Sequence, residues 1–545
     1  MNWDEVFENI DREIFNKTNR HLKEVESIVL HGAWQGKTYE QMEETCQYSL
    51  SYLRQAAGPR LWKLLSEVLQ RDISKTNLRV VCEQLWNEEQ LSSPSFEPQL
   101  HPEREAKVDW GEAPLIDSLH GRDREMKLLQ QQVIRERCRL VTVFGMGGIG
   151  KTALAIYFAQ QVQAFDSVIW RSLHYVAGAV ELIEDLLKFL LDDSDRVSDE
   201  NIDNKISTLI EHLRREKCLI VLDTAAEIWQ SGDLAGRYRQ QYKGYGELLR
   251  RLGTESHQSC LLLCTREKPR EVARLERERP SVYSLHLSGL ATKAASIIFQ
   301  EKQLSDPEQW EELIQLYRGN PLALKIVATT IQELFSGSVA AFLQQDTIVY
   351  GDIYDLLDEQ FECLSVLEQE ILNWLAIAFK PLSLMELRSN TRLPIDTAEL
   401  IEALESLIRR SLIMRTQVQG KTLFSLYQPV IAQYAISRSI ERVCEEIEQA
   451  NSDRSFDQIE FMRNYALVTG DVENHSKQID QIVIPIKNKL YRIFRDESAI
   501  ESCLQAILES FANKSPLTVG YAQENIKVIL EQLQLDLDNK VSTLP

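Results

Sequence analysis

The residues of this sequence best suited to chemistry lie in one glycine-rich stretch, Gly145-Met-Gly-Gly-Ile-Gly-Lys-Thr152. Its spacing is that of a P-loop, in which glycines let consecutive backbone N–H groups face one phosphate chain. Lys151 can reach the β- and γ-phosphates of a nucleotide, and the Thr152 hydroxyl can coordinate Mg²⁺. The stretch therefore predicts a nucleotide-binding site. We expect its phosphate cradle to consist of Gly145, Gly147, Gly148, Ile149, Gly150, Lys151, Thr152 and Ala153.

A strand and a helix must flank this loop if it is to bind phosphate. The apolar run Leu140–Phe144 precedes the loop and predicts a buried strand, and the run Ala153–Ala159 predicts a helix. Strand and helix patterns then alternate from about residue 116 to residue 290, with further candidate strands at Ser167–Arg171, Cys218–Leu222 and Cys260–Cys264. This alternation is typical of a parallel sheet covered by helices.

Groups that suit the phosphates of a nucleotide follow two of these strands. Asp223 comes directly after one apolar run and can hold Mg²⁺, although an aspartate there could instead cap a helix. Thr265 and Arg266 follow another run, and Arg266 could sense a γ-phosphate or be a surface arginine. Ligands of open α/β sheets bind at the carboxyl edge of the strands. We therefore expect Lys151, Asp223 and Arg266 to be the catalytic residues of any reaction at the phosphates, with Thr152 and Asp223 as the metal ligands.

The composition excludes several other classes of protein. With 44% hydrophobic and 26% charged residues in 545, the chain should fold into about three to five globular domains. Its net charge of −21 argues against nonspecific nucleic-acid binding by the whole chain. No apolar run approaches the roughly 18 residues of a membrane span, and the acidic start is unlike a signal peptide. Nine cysteines lie scattered without a CxxC pair, so we expect neither disulfides nor zinc, and a cytoplasmic location.

The remaining regions are mainly helical. Residues 1–88 read as short helices with the rhythm of a helix-turn-helix, and residues 89–115 form a predicted linker that contains four prolines. After the predicted nucleotide-binding domain at 116–290, we expect a helical subdomain at 291–350 and a winged helix at 351–440. The winged helix is indicated by helices followed by two short runs on either side of Gln419-Gly420. Residues 441–545 form a predicted C-terminal helical region without a visible repeat.

Two further motifs make the pattern specific. Leu119-His-Gly-Arg122-Asp-Arg-Glu125 looks like the hhGRxxE motif of STAND-class NTPases, and Gly319-Asn-Pro321-Leu-Ala-Leu324 looks like their GLPLA motif. Together with the P-loop, Asp223 and Thr265-Arg266, they resemble an NB-ARC domain in order and spacing. The resemblance covers about three-fifths of the chain.

The resemblance implies a fold and a function. The fold would be multidomain, with the parallel α/β sheet core of a P-loop NTPase. All-α regions would flank this core: an N-terminal helix-turn-helix-like domain, a helical subdomain, a winged helix and a C-terminal helical region. The function would be an ADP/ATP signalling switch that uses Mg²⁺ and couples nucleotide exchange to oligomerisation and partner recruitment. In this family the first motif and the proline of the second contact adenine, which here means Leu119, Gly121, Arg122 and Pro321.

The N-terminal 88 residues also resemble the helix-turn-helix-like module that precedes such NTPases in cyanobacterial conflict-type proteins. The residues that carry this similarity are Gly36, Thr38 and Tyr39, together with the run Leu61-Trp-Lys-Leu-Leu65.

Two positions depart from the family pattern. Thr224 stands where the family has a second acid that acts as general base, and Glu227 is displaced from it by a helical turn, so hydrolysis should be slow. Gln428 stands where the family has a histidine that contacts the β-phosphate of ADP. A glutamine amide donates a neutral hydrogen bond and carries no switchable charge, so the contact with ADP should be looser.

Other functions compete with a switch. A nucleotide-regulated transcription regulator would bind DNA through residues 28–69, with Arg54, Arg60 and Lys63 near the recognition helix. However, residues 1–90 contain 11 Lys and Arg against 15 Asp and Glu, which favours a protein partner over DNA. GTP is disfavoured because no Asn-Lys-x-Asp selector is present, and a steady ATP-driven motor because the second acid is missing. We expect a protein effector or sensor as partner, a homo-oligomer when ATP is bound, and no membrane contact. In the family, sensing belongs to repeats after the winged helix, so the sensor should be absent, atypical or supplied by another chain.

Overall fold

The computed structural model describes residues 22–78 and 106–542, apart from short gaps, together with isolated positions 7, 10, 14, 17 and 81. The gaps are residues 35, 44–45, 47, 70, 72, 76, 79–80, 117–118, 175–177, 192–200, 346, 392–394, 454–458, 472 and 513. The chain divides into two compact units, Met1–Arg104 and Glu105–Pro545. Most of the predicted linker at 89–115 lies outside the described residues.

The first unit is helical. Its helices are α1 (Glu24–Trp34), α2 (Tyr39–Glu43), α3 (Leu50–Tyr52) and α4 (Gly58–Leu69), with a π-helical turn at Leu53–Ala57. The predicted turn at Gly36 is present, with φ of 73°. Thr38 caps the start of α2: its hydroxyl accepts the backbone N–H of Gln41, while the Gln41 side chain accepts that of Thr38. Leu30, Leu53, Leu61 and Leu65 lie fully buried between these helices.

The second unit is built on a six-stranded parallel sheet. Its strands, in chain order, are β1 (Lys107–Asp109), β2 (Leu140–Phe144), β3 (Ser167–Ser172), β4 (Cys218–Asp223), β5 (Cys260–Thr265) and β6 (Val282–His286), and their spatial order is β1-β3-β4-β5-β2-β6. The predicted parallel sheet is confirmed. Alternate residues of each central strand enter different apolar clusters: Ile220 and Leu222 lie on one face, and Leu219 and Val221 on the other. The strands are continuously apolar because both faces are buried.

Helices connect these strands. They are α5 (Asp123–Gln130), α6 (Lys151–Gln161), α7 (Ala179–Leu190), α8 (Ile202–Arg215), α9 (Gly244–Thr254) and α10 (Arg270–Glu278). Two strands of this sheet were not predicted from the sequence. β6 contains His286 and two half-buried residues, which weakens its apolar signal, and β1 is a three-residue edge strand inside the predicted linker. β1 exists because it pairs in parallel with β3, which is a tertiary contact.

A helical region follows the sheet and leads into a small antiparallel one. Its helices are α11 (Thr292–Glu301), α12 (Trp310–Leu316), α13 (Pro321–Leu334), α14 (Val339–Leu343), α15 (Gly351–Phe361) and α16 (Val366–Ala378). Then come β7 (Leu382–Ser383), α17 (Leu384–Asn390), α18 (Thr397–Arg409), β8 (Ile413–Val418) and β9 (Lys421–Leu426). The strands pair in the order β7-β9-β8, and the turn between β8 and β9 uses positive φ at Gln419 and Gly420. Helices followed by this hairpin form the winged-helix pattern.

The rest of the second unit is helical. It contains α19 (Pro429–Asp453), α20 (Phe461–Asn464), α21 (His475–Gln478), α22 (Ile484–Phe494), α23 (Glu497–Phe511), α24 (Pro516–Val519) and α25 (Ala522–Ser542). The buried residues of these helices join one apolar cluster with those of α11 to α18. Among the described residues, no helix is long and apolar enough to cross a membrane.

Candidate functional site

The glycine-rich loop lies between β2 and α6, at the carboxyl edge of the parallel sheet. Gly148 and Gly150 have φ of 72° and 99°, in the left-handed region that glycine adopts without strain. A Cβ on Gly148 would lie 2.6 Å from the Cβ of Leu322, so no larger residue fits there. The backbone thus curls tightly enough to surround a phosphate group.

Lys151 begins α6 and folds back over the loop. Its Nζ donates hydrogen bonds to the carbonyl oxygens of Gly145 (2.9 Å) and Met146 (2.8 Å). Burial lowers the pKa of this ammonium group to about 8. An anion that binds beside Lys151 would stabilise the charged form, so the position favours a phosphate.

The next three carbonyls of the loop are bound from outside it. Their donors are Asn320 Nδ2 to Gly147 (2.9 Å), the backbone N–H of Leu322 to Gly148 (3.3 Å), and Arg122 Nη2 to Ile149 (2.8 Å). Because the five carbonyls from 145 to 149 all accept hydrogen bonds, these contacts hold the backbone of the loop in its curled conformation. This arrangement fits a nucleotide whose phosphates bind the loop's N–H groups.

Thr152 and Asp223 meet beside the loop. The Thr152 hydroxyl lies 3.0 Å from both carboxylate oxygens of Asp223, the last residue of β4. Burial raises the pKa of Asp223, and hydrogen bonds from Thr224 and Thr152 oppose that effect. A hydroxyl and a carboxylate are oxygen ligands of the kind that Mg²⁺ binds together with water and phosphate. The pair therefore fits the predicted metal site.

Thr265 and Arg266 lie at the end of β5, as predicted. The Thr265 hydroxyl is buried and accepts a hydrogen bond from Trp229 Nε1 (3.2 Å), so it is directed into the protein. Arg266 reaches the loop: its Nε lies 3.9 Å from the position that a Cβ on Gly147 would take. Its Nη2 pairs with Glu359 of α15 at 2.6 Å.

The residues predicted to contact adenine lie on two segments that border the loop. Arg122 is buried, and its guanidinium contacts Ser288 O, Glu125 and Ile149 O, so it supports the loop from behind. Gly121 has φ of 67°, and Leu119 packs half-buried against the sheet core. Pro321 is the first residue of α13, where the fixed φ of proline suits a helix start. Arg122 thus contacts the loop directly, whereas Pro321 follows Asn320, whose side chain contacts the loop.

Gln428 lies between β9 and α19 and is 97% buried. Among the described residues, its Nε2 has no hydrogen-bond partner. Such a group costs roughly 1–3 kcal/mol unless a ligand or water satisfies it. The ring of the preceding Tyr427 lies 6.1 Å from that of His286, which lies 5.0 Å from that of Phe144 at the end of β2. Gln428 thus follows a residue that packs near the strand leading into the loop.

Thr224, which the resemblance aligns with a general base, directly follows Asp223 at the end of β4. Thr224 has φ of 55° and precedes the 3-10 turn Ala225–Ile228. Glu227 within that turn lies 3.5 Å from His174 Nδ1, and both side chains are about half exposed. The Thr224 hydroxyl lies 3.3 Å from Asp223, so it can support the carboxylate but cannot accept a proton as a carboxylate would.

Sequence reasoning missed three residues at this site: Asn320, Trp229 and Glu359. Asn320 could have been found, because an asparagine directly before a proline is a strong signal for the start of a helix. Its Oδ1 does accept the N–H groups of Leu322 (3.1 Å) and Ala323 (3.3 Å). Nothing in the local sequence indicates that Glu359 reaches Arg266, 93 residues earlier.

Comparisons with known proteins agree with this geometry. The NB-ARC domain family matches residues 122–300, and the family described as the vWA-MoxR associated protein N-terminal HTH matches residues 1–85. The chain therefore contains an NB-ARC domain, and these matches support a STAND-class P-loop NTPase. The fold class predicted from the sequence is confirmed.

Two relatives are similar to this chain over parts of their length. An uncharacterized WD repeat-containing protein of Nostoc sp., alr2800, is 37% identical over 472 residues, which are 79% of this chain and 37% of that protein. A probable disease resistance protein of Arabidopsis thaliana, At4g14610, is 22% identical over 40% of this chain and 30% of its own length. The chain therefore spans about a third of the length of the curated relatives it matches.

Among solved structures, the STAND protein with a tetratricopeptide repeat sensor, PH0952, from Pyrococcus horikoshii is 18% identical. The similarity covers 78% of this chain and 60% of that one, at a TM-score of 0.29.

The NB-ARC match supports a nucleotide-dependent, signalling-type P-loop NTPase, and homologues of this class imply nucleotide binding, usually with Mg²⁺.

Proposed function

We propose that this STAND NTPase is an adenine-nucleotide switch in which ADP favours a closed form and ATP favours an open, self-associating form. One observation carries the proposal: the phosphate cradle is formed by the sheet together with later helices, and a switch must move these helices away from the sheet. β2 and α6 contribute the loop, α13 binds its carbonyls through Asn320 and Leu322, and α15 places Leu356 and Gln360 beside Gly147. A change in the phosphates therefore alters contacts with the later regions.

A buried network supports this coupling. Arg410, directly after α18, lies 3.0 Å from Glu267 Oε2 and 3.3 Å from Glu368 Oε1. Glu267 follows Arg266 in the chain, and Glu368 belongs to α16. The side chains of the three residues are at most 9% exposed. The winged-helix region is thus joined to the segment that carries Arg266, and relative motion of the two must break the buried Arg410–Glu267 ion pair.

We propose Mg²⁺ and ADP or ATP as the ligands, held by the P-loop, Thr152 and Asp223. Lys151 would bind the β- and γ-phosphates, and Arg266 the γ-phosphate. Gln428 would supply its unpartnered amide to the nucleotide. Because Thr224 replaces a carboxylate, we expect hydrolysis to be slow enough for the ATP form to persist as a signal.

For the N-terminal unit we propose a protein effector or sensor as partner. Two of the basic residues that a DNA reader would need are already near acids: Arg54 lies 3.9 Å from Glu40, and Lys63 lies 3.9 Å from Glu67. With the unit's net negative charge, this leaves little positive surface for phosphates. Self-association through the nucleotide-binding unit would raise the local concentration of these N-terminal units for such a partner.

The test compares mass and small-angle scattering of the full chain with ADP and with a nonhydrolysable ATP analogue, both with Mg²⁺. We expect a compact monomer with ADP and a larger, more open species with the analogue. Lys151→Ala is the control, because it should bind neither nucleotide and respond to neither. Identical mass and scattering in both nucleotides, with binding verified by calorimetry, would contradict the switch.

A further inference from the structure

The ion pair between Arg266 and Glu359 joins the sheet to the winged-helix region at the nucleotide site. Arg266 extends from the end of β5, and Glu359 lies in the last turn of α15. Their Nη2 and Oε2 atoms are 2.6 Å apart, while the two side chains are 37% and 61% exposed. A charge pair open to solvent is weak, so another anion can replace one partner.

This pair lies at the rim of the phosphate cradle. The position that a Cβ on Gly147 would take lies 3.3 Å from Gln360 Nε2, 3.3 Å from Leu356 Cδ1 and 3.9 Å from Arg266 Nε. Gln360 is the neighbour of Glu359 in the chain, so the end of α15 covers the first half of the loop. An additional phosphate in this part of the cradle must approach both the guanidinium and the carboxylate.

We propose that Glu359 determines the preference of the site for nucleoside diphosphates over triphosphates, because its carboxylate competes with a γ-phosphate for Arg266. This inference rests on the proposed function and adds a specificity-determining residue to it. A diphosphate leaves the Arg266–Glu359 pair intact. A triphosphate brings a phosphate with more negative charge than a carboxylate, and this phosphate competes with Glu359 for the Arg266 guanidinium.

The displaced carboxylate would transmit the change along the chain. Asp358, the residue before Glu359, accepts hydrogen bonds from the Tyr434 hydroxyl and from Arg438 Nη1, the latter at 2.7 Å. Both donors belong to α19, which begins directly after Gln428. Movement of the end of α15 away from Arg266 therefore acts on the helix that follows the candidate ADP contact.

The decisive variant is Glu359→Gln, which removes the competing charge and keeps the size of the side chain. Calorimetry should measure the Kd of the full chain for ADP and for a nonhydrolysable ATP analogue. We expect the analogue to bind about two- to fivefold more tightly than in the wild type, with ADP affinity unchanged. Asp355→Asn is the matched control, because Asp355 is exposed and lies one turn earlier on the same helix. It should leave both Kd values unchanged.

A double-mutant cycle with Arg266→Ala separates competition from simple repulsion. If Glu359 competes for Arg266, the gain from Glu359→Gln should largely disappear in the Arg266→Ala background. A gain of the same size in that background, an equal gain in Asp355→Asn, or an unchanged ratio of the two Kd values in Glu359→Gln would each overturn the inference. The proposed function fails by a different result: wild-type protein that binds both nucleotides but shows the same mass and scattering with each.

Discussion

The buried ion pairs of Arg410 allow a quantitative prediction about Arg410→Met. Arg410 contacts the carboxylates of Glu267 and Glu368, and its Nη2 also donates to the carbonyl oxygen of Asp233 at 2.7 Å. Removing the arginine leaves both buried carboxylates without their ion-pair partner, which lowers the free energy of unfolding by about 3–5 kcal/mol. Because nine-tenths or more of each side chain is buried, solvent screens little of this cost.

Hydrogen exchange of the segment after β4 is the appropriate assay, because a chain with several domains need not unfold in one step. The N–H of Gly236 donates to Glu267 Oε1 and that of Ala235 to Ser406 Oγ, both at 2.6 Å. At about 1.4 kcal/mol per tenfold change, a loss of 3–5 kcal/mol should speed exchange at these amides by about a hundredfold or more, up to complete loss of protection. Arg409→Met is the control, because the hydrogen bond of Arg409 Nη2 within the described part of the chain goes to the carbonyl of Ala235, at 3.3 Å, and its loss should cost about 1 kcal/mol.

The effect of Arg410→Met should also depend on pH. Burial already raises the pKa of Glu267, and Arg410 opposes that rise, so the variant should raise the pKa further. A carboxyl whose pKa is higher in the folded state binds more protons there, so stability falls as pH rises through that range. The variant should therefore be closer to wild type at pH 5 than at pH 8. Exchange rates within threefold of the wild type at Ala235 and Gly236, or a defect equal at both pH values, would refute this reasoning.

Three further predictions concern the loop and its neighbours. The pKa of Lys151 is about 8 in the folded protein, so its ammonium group loses its charge above that pH. Calorimetry without Mg²⁺ should therefore show the affinity for ADP falling about tenfold between pH 7 and pH 9. Lys151→Arg should bind ADP without this pH dependence. Thr224→Asp should raise ATP turnover in a phosphate-release assay by about tenfold or more if the missing base limits the rate, and an unchanged rate would place the limit elsewhere. Asn320→Ser keeps a neutral helix cap but loses the amide donor to Gly147, whereas Asn320→Ala loses both. Thermal unfolding should therefore show Ala as the more harmful change by about 1 kcal/mol, and the reverse order would contradict the assigned contacts.

The local sequence was sufficient for the loop and the strands that support it. The predicted strand before the loop has the predicted bounds, and the other three extend one residue further, so that Asp223 and Thr265 end their strands. The hairpin turn at Gln419 and Gly420 is also where the sequence indicates. These features depend on residues close together in the chain: apolar runs form buried strands, and glycines permit turns that other residues resist.

Tertiary packing alone decided how the loop is connected to the rest of the chain. Asn320 contacts Gly147 across 173 residues, Glu359 contacts Arg266 across 93, and the three-residue strand β1 exists only through its pairing with β3. Charged and amide side chains carry no local signal of their distant partners, because a glutamate in a helix reads as a solvated surface residue until a neighbouring element packs against it. The sequence by itself therefore determined that a phosphate-binding loop forms, whereas the packing of α13 and α15 against the sheet determined which side chains surround it.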